Sequence, residues 1–193
     1  MNKTLRALAL LLALLLALSG TSAADGAPEP FDPEEIGAKL EADLKEYYPN
    51  ISASLTLEAD EDRNISFLIK SASVATLYFN HILDNGTIEN NGVKNNISLL
   101  VVMNATDQDT AQVFVSIFTV FAGALKHVLY PEKTEEACAT EALEGLQAAA
   151  GASEENVRTV TYEDGKYRQT FSFSMLSAEV IFLSYSVKIV GLD

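Results

Sequence analysis

The chain has 193 residues, with 27 acidic against 13 basic side chains, two histidines and one cysteine. A formal charge of −14 repels phosphate and argues against nucleic acid as a partner, and a lone cysteine excludes an internal disulfide. There is no Gly-rich phosphate loop, no Gly-x-Ser-x-Gly elbow and no Cys/His arrangement suited to nucleophilic catalysis, so no cofactor is expected.

Residues 1–24 read as a secretory signal peptide. Lys3 and Arg6 give a positive start, Ala7 to Leu18 is an unbroken apolar run of 12 residues, and small residues follow from Ser19 to Ala24. The run is well short of the roughly 20 residues that a membrane-spanning helix needs. Leu18-Ser19-Gly20 has the form of a lipoprotein signal, but Thr21 stands where the lipid-accepting cysteine would be. A cleaved leader and a secreted, extracellular product are therefore expected, with no stable membrane span after cleavage. An uncleaved amino-terminal anchor is the alternative. Loss of Lys3 and Arg6 would take the net charge from −14 to −16. Residues 25–31 read as a Pro/Gly linker and residues 32–193 as a single domain, long enough to bury a substantial core.

Asp32 can cap a first helix, with Pro33 at its first position and Glu35 completing a capping box. Ile36, Leu40, Leu44 and Tyr47 share one face, and Pro49 and Asn50 end the helix. Ile51 to Glu58 alternates apolar and polar residues, as a half-buried strand does. The chain turns over 59–64 and runs back with Ile65, Phe67 and Ile69 inward; Val74 to Leu83 forms a third strand. Asn85-Gly86 and Asn91-Gly92 are turn signals, and the apolar run 97–103 is a strand placed at the centre of the sheet.

Thr106 or Asp107 caps a long helix from Gln108 to about Tyr130, apolar on almost every side. Gln112, Lys126 and His127 leave about 13 clean residues, too few for a span, so a helix buried on most sides is favoured. Thr134 caps the next helix and Gly151 stops it; its small face includes Cys138, read as an inert buried thiol. Three strands close the chain: Val157 to Glu163, Lys166 to Met175 after a turn at Asp164-Gly165, and Ala178 to Val190. In the middle one, Tyr167, Phe171, Phe173 and Met175 face in.

The fold class is therefore α+β, a mainly antiparallel sheet of about seven strands with three helices on one side. Residues 33–83 and 134–190 read as two αβββ half-repeats around the buried central helix, and the segments starting at Phe67 and Phe171 align without gaps.

Five Asn-x-Ser/Thr sequons follow the leader, at Asn50, Asn64, Asn85, Asn96 and Asn104. Ten asparagines would give roughly one or two such matches by chance, so all five are candidate N-glycosylation sites. Asp60, Asp62 and Asn64 are spaced like the first ligands of a calcium loop. Ile65 stands where that loop needs Gly and Ser71 where it needs Glu, so a solvated hairpin tip is the preferred reading and no metal is expected. Lys166, Tyr167 and Arg168 interleave basic and aromatic residues at a hairpin, a pattern that reads first as an ordinary hairpin end. The expected function is a secreted or cell-surface, non-enzymatic binding or accessory protein. A surface partner or ligand goes unnamed by the sequence. The alternative is a secreted hydrolase whose Asp, Glu and His residues, His81 or His127 among them, converge from separate elements.

Overall fold

The structure is a computed structural model, and it describes residues 28–84, 86–92, 94–104, 108–152, 157–175, 177 and 180–192. The leader assigned to 1–24, the proposed caps Thr106 and Asp107, and Asn85 lie outside these residues.

The elements in chain order are α1 (Pro33–Tyr47), α2 (Pro49–Ser52), β1 (Thr56–Ala59), β2 (Ile65–Ile69), β3 (Ala72–Phe79), β4 (His81–Asp84), β5 (Thr87–Asn90), β6 (Asn96–Asn104), α3 (Gln108–Leu129), α4 (Glu135–Gly151), β7 (Val157–Glu163), β8 (Tyr167–Met175) and β9 (Val180–Ile189). Seven strands make one antiparallel sheet in the order β1-β2-β3-β6-β9-β8-β7, and β4 and β5 form a separate hairpin. The fold is α+β, and β6 holds the central position that its apolar sequence predicts.

Alternation gives the sheet two chemically different faces. One lateral row runs Ala59, Ile65, Leu77, Leu99, Tyr185, Phe171, Val160, one residue per strand. The next row, on the opposite face, runs Glu58, Ser66, Thr76, Leu100, Ser184, Ser172, Thr159. Strand side chains point alternately up and down, so the helices cover only the first face. There, α3 lies across the sheet with Phe121 edge-on to Phe67, their ring centroids 4.8 Å apart.

Two glycines set the helix heights. A Cβ on Gly123 would stand 2.8 Å from Ala139 Cα, so α3 and α4 touch backbone to backbone. A Cβ on Gly145 would stand 2.5 Å from the Phe171 ring, so α4 rests directly on β8.

The two αβββ units are present, but they have opposite hands. β3 and β9 run in the same direction, because each is antiparallel to β6 between them. Their meanders advance toward the centre from opposite edges. Both helices lie on the same face: Gly37 of α1 meets Ile65 and Gly145 of α4 meets Phe171, members of one lateral row. A rotation that reverses the meander while keeping strand direction must also swap faces. No rotation therefore superposes the halves, and the gapless match at Phe67 and Phe171 reflects shared alternation.

Four local expectations are corrected. Ile51 and Ser52 belong to the helical turn α2, because Pro49 sits at its first position, and the strand starts at Thr56. The third strand breaks at Asn80, whose φ of +63° suits asparagine better than most residues; the chain leaves as β4–β5. That hairpin meets the hydroxyl-rich face, where Ser98 Oγ donates to His81 O at 2.8 Å. The capping box is half formed: Asp32 Oδ1 accepts from Glu34 N and Glu35 N, but the Glu35 carboxylate pairs with Lys39 instead. Phe31, read as linker, already stacks on Tyr167 at 6.0 Å.

Candidate functional site

The long helix α3 is enclosed unevenly. From Phe118 to Leu129 it is packed among α1, α4 and the sheet. Its amino-terminal half is less covered, and Val113 is 57 % exposed. This half forms one wall of a groove of about 690 Å³, with Val113, Ile117 and Val120 on one side and Ile51 and Ile69 on the other. Asn50, Ser54, Asp109, Gln112 and Ser116 supply its polar rim. Ser116 spends its hydroxyl on the Gln112 carbonyl one turn back, at 2.9 Å, which keeps that wall mostly apolar.

A second site lies at the other end of α3. Lys126 is only 5 % exposed and reaches down from the helix between α4 and β8. Its ammonium donates to Gln169 Oε1 on β8 and to Glu141 Oε2 on α4, each at 2.8 Å. Gln169 Oε1 also accepts from the Tyr185 hydroxyl at 2.8 Å, and Gln169 Nε2 donates to Tyr130 Oη at 2.7 Å. Tyr130 in turn donates to Asp164 Oδ2 at 2.6 Å. Lys133 closes the cluster, bonding both Glu141 oxygens at 2.7 and 2.8 Å.

Burial alone would raise the Glu141 carboxyl, but the two lysines bonded to it outweigh that and hold it below the usual carboxylate range. Asp164 shifts the same way: burial opposes, while the Tyr130 hydroxyl and the Tyr167 and Lys166 amides prevail. Burial pushes the neighbouring Cys138 thiol up to about 11, with the Glu141 charge adding to the effect. Beside the network opens a pocket of about 290 Å³, lined by Lys126, Lys133, Glu141, Glu144, Tyr162, Asp164, Gln169 and Phe171.

No protein family, curated protein or solved structure matches this chain. The two cavities and their chemistry therefore carry the functional argument.

The residues singled out from sequence fall elsewhere. Asn64 is 5 % exposed; its Nδ2 donates to Asp60 Oδ2 at 3.0 Å and its Oδ1 accepts from Phe79 N at 3.1 Å. Asp60 Oδ1 accepts from Asn64 N. Asp60 and Asn64 thus spend these oxygens on each other and on the Phe79 amide rather than turning them to a shared ion, while Asp62 is exposed. Among the described residues, no three His, Cys, Asp or Glu side chains are grouped to hold a metal. Asn96, 3 % exposed, opens the central strand, whereas Asn50 and Asn104 are exposed. Of the sequons in view, those two offer an amide to solvent.

The two histidines stand on different elements, each with its own neighbours. His81 faces Tyr78 at 5.8 Å between ring centroids. His127 Nδ1 lies 2.6 Å from Asp43 Oδ2 on the seam between α1 and α3, with Tyr47 edge-on. Neither lines the groove or the pocket. Lys166, Tyr167 and Arg168 are used within the hairpin: Tyr167 packs under Phe31 and Tyr130, Lys166 covers its ring, and Arg168 pairs with Glu163.

Sequence reasoning missed Lys126 and Gln169. Two signals were present: a lysine inside a helix apolar on all sides, and a glutamine at an inward position of β8 between Tyr167 and Phe171.

Proposed function

We propose that the chain is an exported, non-enzymatic binding protein acting at or outside the cell surface, and that its ligand is a small apolar molecule held in the groove on α3. The observation that carries this reading is a trough of half-buried aliphatic side chains, topped by the exposed Val113, on so acidic a chain. Leaving Val113, Ile117, Ile51 and Ile69 in contact with water forgoes about 25 cal/mol for each Å² that could be buried. Concave apolar clefts of roughly 300–1,000 Å³ with a few polar groups at the rim are the usual form of a small-molecule site. The leader-like amino terminus supports export, and the acidic surface suits a soluble product.

Nile red, neutral and bright in apolar surroundings, tests the groove. Wild-type protein is expected to bind it saturably. Val113→Asp and Ile117→Asp should each weaken binding about tenfold or more, since a buried carboxylate costs well over 1.4 kcal/mol. Val102→Asp, an exposed aliphatic position on the opposite face of the sheet, should leave binding unchanged. Equal binding by all four proteins would end the proposal.

A further inference from the structure

We infer that the pocket beside Lys126 is a second binding site, for a single neutral polyhydroxylated ring of monosaccharide size. It shares no lining residue with the groove. Val113 and Lys126 are 13 positions apart on one helix, about 20 Å at 1.5 Å per residue, so the inference stands apart from the apolar-ligand reading.

The floor of the pocket is a charged side chain more than nine-tenths buried. Lys126 is fixed from two elements, by Glu141 on α4 and Gln169 on β8. An ammonium has three donors. Two are spent on these partners; the third, on an ammonium that also lies 5.6 Å from the Tyr130 ring centroid, is the donor that a ligand acceptor would take. Holding a lysine in that geometry costs desolvation that a purely structural role would avoid with an apolar side chain.

The walls select the charge of the occupant. Lys126 and Lys133 face Glu141, Glu144 and Asp164, so the lining is within one charge of balance. An anion would meet three carboxylates, and a cation would meet two ammoniums. A neutral molecule with both donors and acceptors satisfies both sets. Its hydroxyl oxygens can accept from Lys126, and its hydroxyl protons can reach the carboxylate of Glu144, which sits one turn beyond Glu141 on α4 and has no hydrogen-bond or ion-pair partner among the described residues.

The apolar part of the lining fits a ring. Tyr162 is 47 % exposed and stands edge-on to the buried Phe171, presenting ring surface to the cavity. Aromatic surface beside directional polar groups suits a molecule with an apolar C–H face and a hydroxyl rim. The volume, about 290 Å³, is at the bottom of the range for ligand pockets and takes one such ring rather than a chain of them.

The test is a ¹H–¹⁵N NMR titration of the full chain with D-glucose, D-galactose, D-mannose and N-acetyl-D-glucosamine, each alone, with glycine and inorganic phosphate as the zwitterion and the anion. At least one sugar should shift the amides of Lys126, Glu144, Tyr162 and Gln169 saturably. Lys126→Met and Glu144→Ala should each weaken that sugar about tenfold, the worth of one hydrogen bond to a charged group, with the rest of the spectrum unchanged. Spectra of the variants report folding directly, so loss of binding is distinguished from loss of structure. The inference is overturned if no sugar moves these resonances, if glycine or phosphate moves them more than any sugar does, or if both folded variants bind as well as wild type.

Discussion

Replacing Gln169 with leucine should be among the most damaging single changes in the described fold, and replacing Lys126 with methionine among the most innocuous, although the two side chains touch. Gln169 joins three partners. Without it, the Tyr185 hydroxyl, buried under the helices, loses its acceptor and Lys126 loses one of two. Tyr130 keeps Asp164. An orphaned buried hydroxyl costs about 1–3 kcal/mol and a lost bond to a charged group about 1.5–3, so Gln169→Leu should cost about 3–5 kcal/mol. That is a large part of the roughly 5–15 kcal/mol that holds a domain together. Lys126→Met orphans nothing comparable: Glu141 retains both bonds from Lys133, and Gln169 Oε1 retains Tyr185. Exchanging a buried charge for an apolar chain of similar length is often neutral or better, so the change should stay within about 1 kcal/mol of wild type. Urea unfolding followed by far-UV circular dichroism, at a common m-value, measures both. The reasoning is refuted if Gln169→Leu costs less than about 1 kcal/mol, or if the two variants lose equal stability.

Other expectations follow from the same packing. Gly123→Ala drives a methyl group into the α4 backbone and should cost about 1–3 kcal/mol despite the better helix propensity of alanine. Gly151→Ala, with open space around it, should be neutral or stabilising; thermal melts of both glycine variants against wild type check the contrast. Iodoacetamide at mildly alkaline pH should leave Cys138 unmodified in the native protein and label it fully in guanidinium, because burial both covers the thiol and raises its pKa. Glu141 and Asp164 are held below their unfolded pKa values, so the stability they add is present above the ordinary carboxylate range, about 4, and is lost as pH falls through their lower folded values. The stability gap between wild type and Glu141→Gln should therefore be constant near neutrality and shrink in acid; a gap that widens in acid would contradict the ion-pair geometry. On material from the native source, mass spectrometry should find any glycan at Asn50 or Asn104 and none at the buried Asn64 and Asn96.

The fold was largely legible because its signals are local. Alternation along β8, the Thr134 cap bonding Ala137 N at 3.2 Å, and Gly165 at φ +86° in the β7–β8 turn each depend on a few adjacent residues. The breaks at Pro49 and Asn80 were less legible, since a proline that ends one helix can equally start the next, and an asparagine within a strand-like run shows no turn partner. The sites were hidden for a different reason. Lys126 and Glu141 lie on the α3–α4 helix pair and Asp164 and Gln169 on the β7–β8 hairpin, and only the packing of the helices on the sheet brings the two pairs together. The groove depends on which half of α3 its neighbours reach, something its uniform apolar sequence does not encode.

The position of β9 also dictates when the molecule can become whole. This strand is late in the chain, yet it lies between β6 and β8, bonding β6 along nine residue pairs. Until it emerges from the ribosome, the sheet consists of a four-stranded piece and a two-stranded hairpin with no seam between them. Such late, long-range pairing slows folding. A nascent chain built this way cannot close its sheet until residues 180–189 have been made, whatever its earlier strands have already paired with.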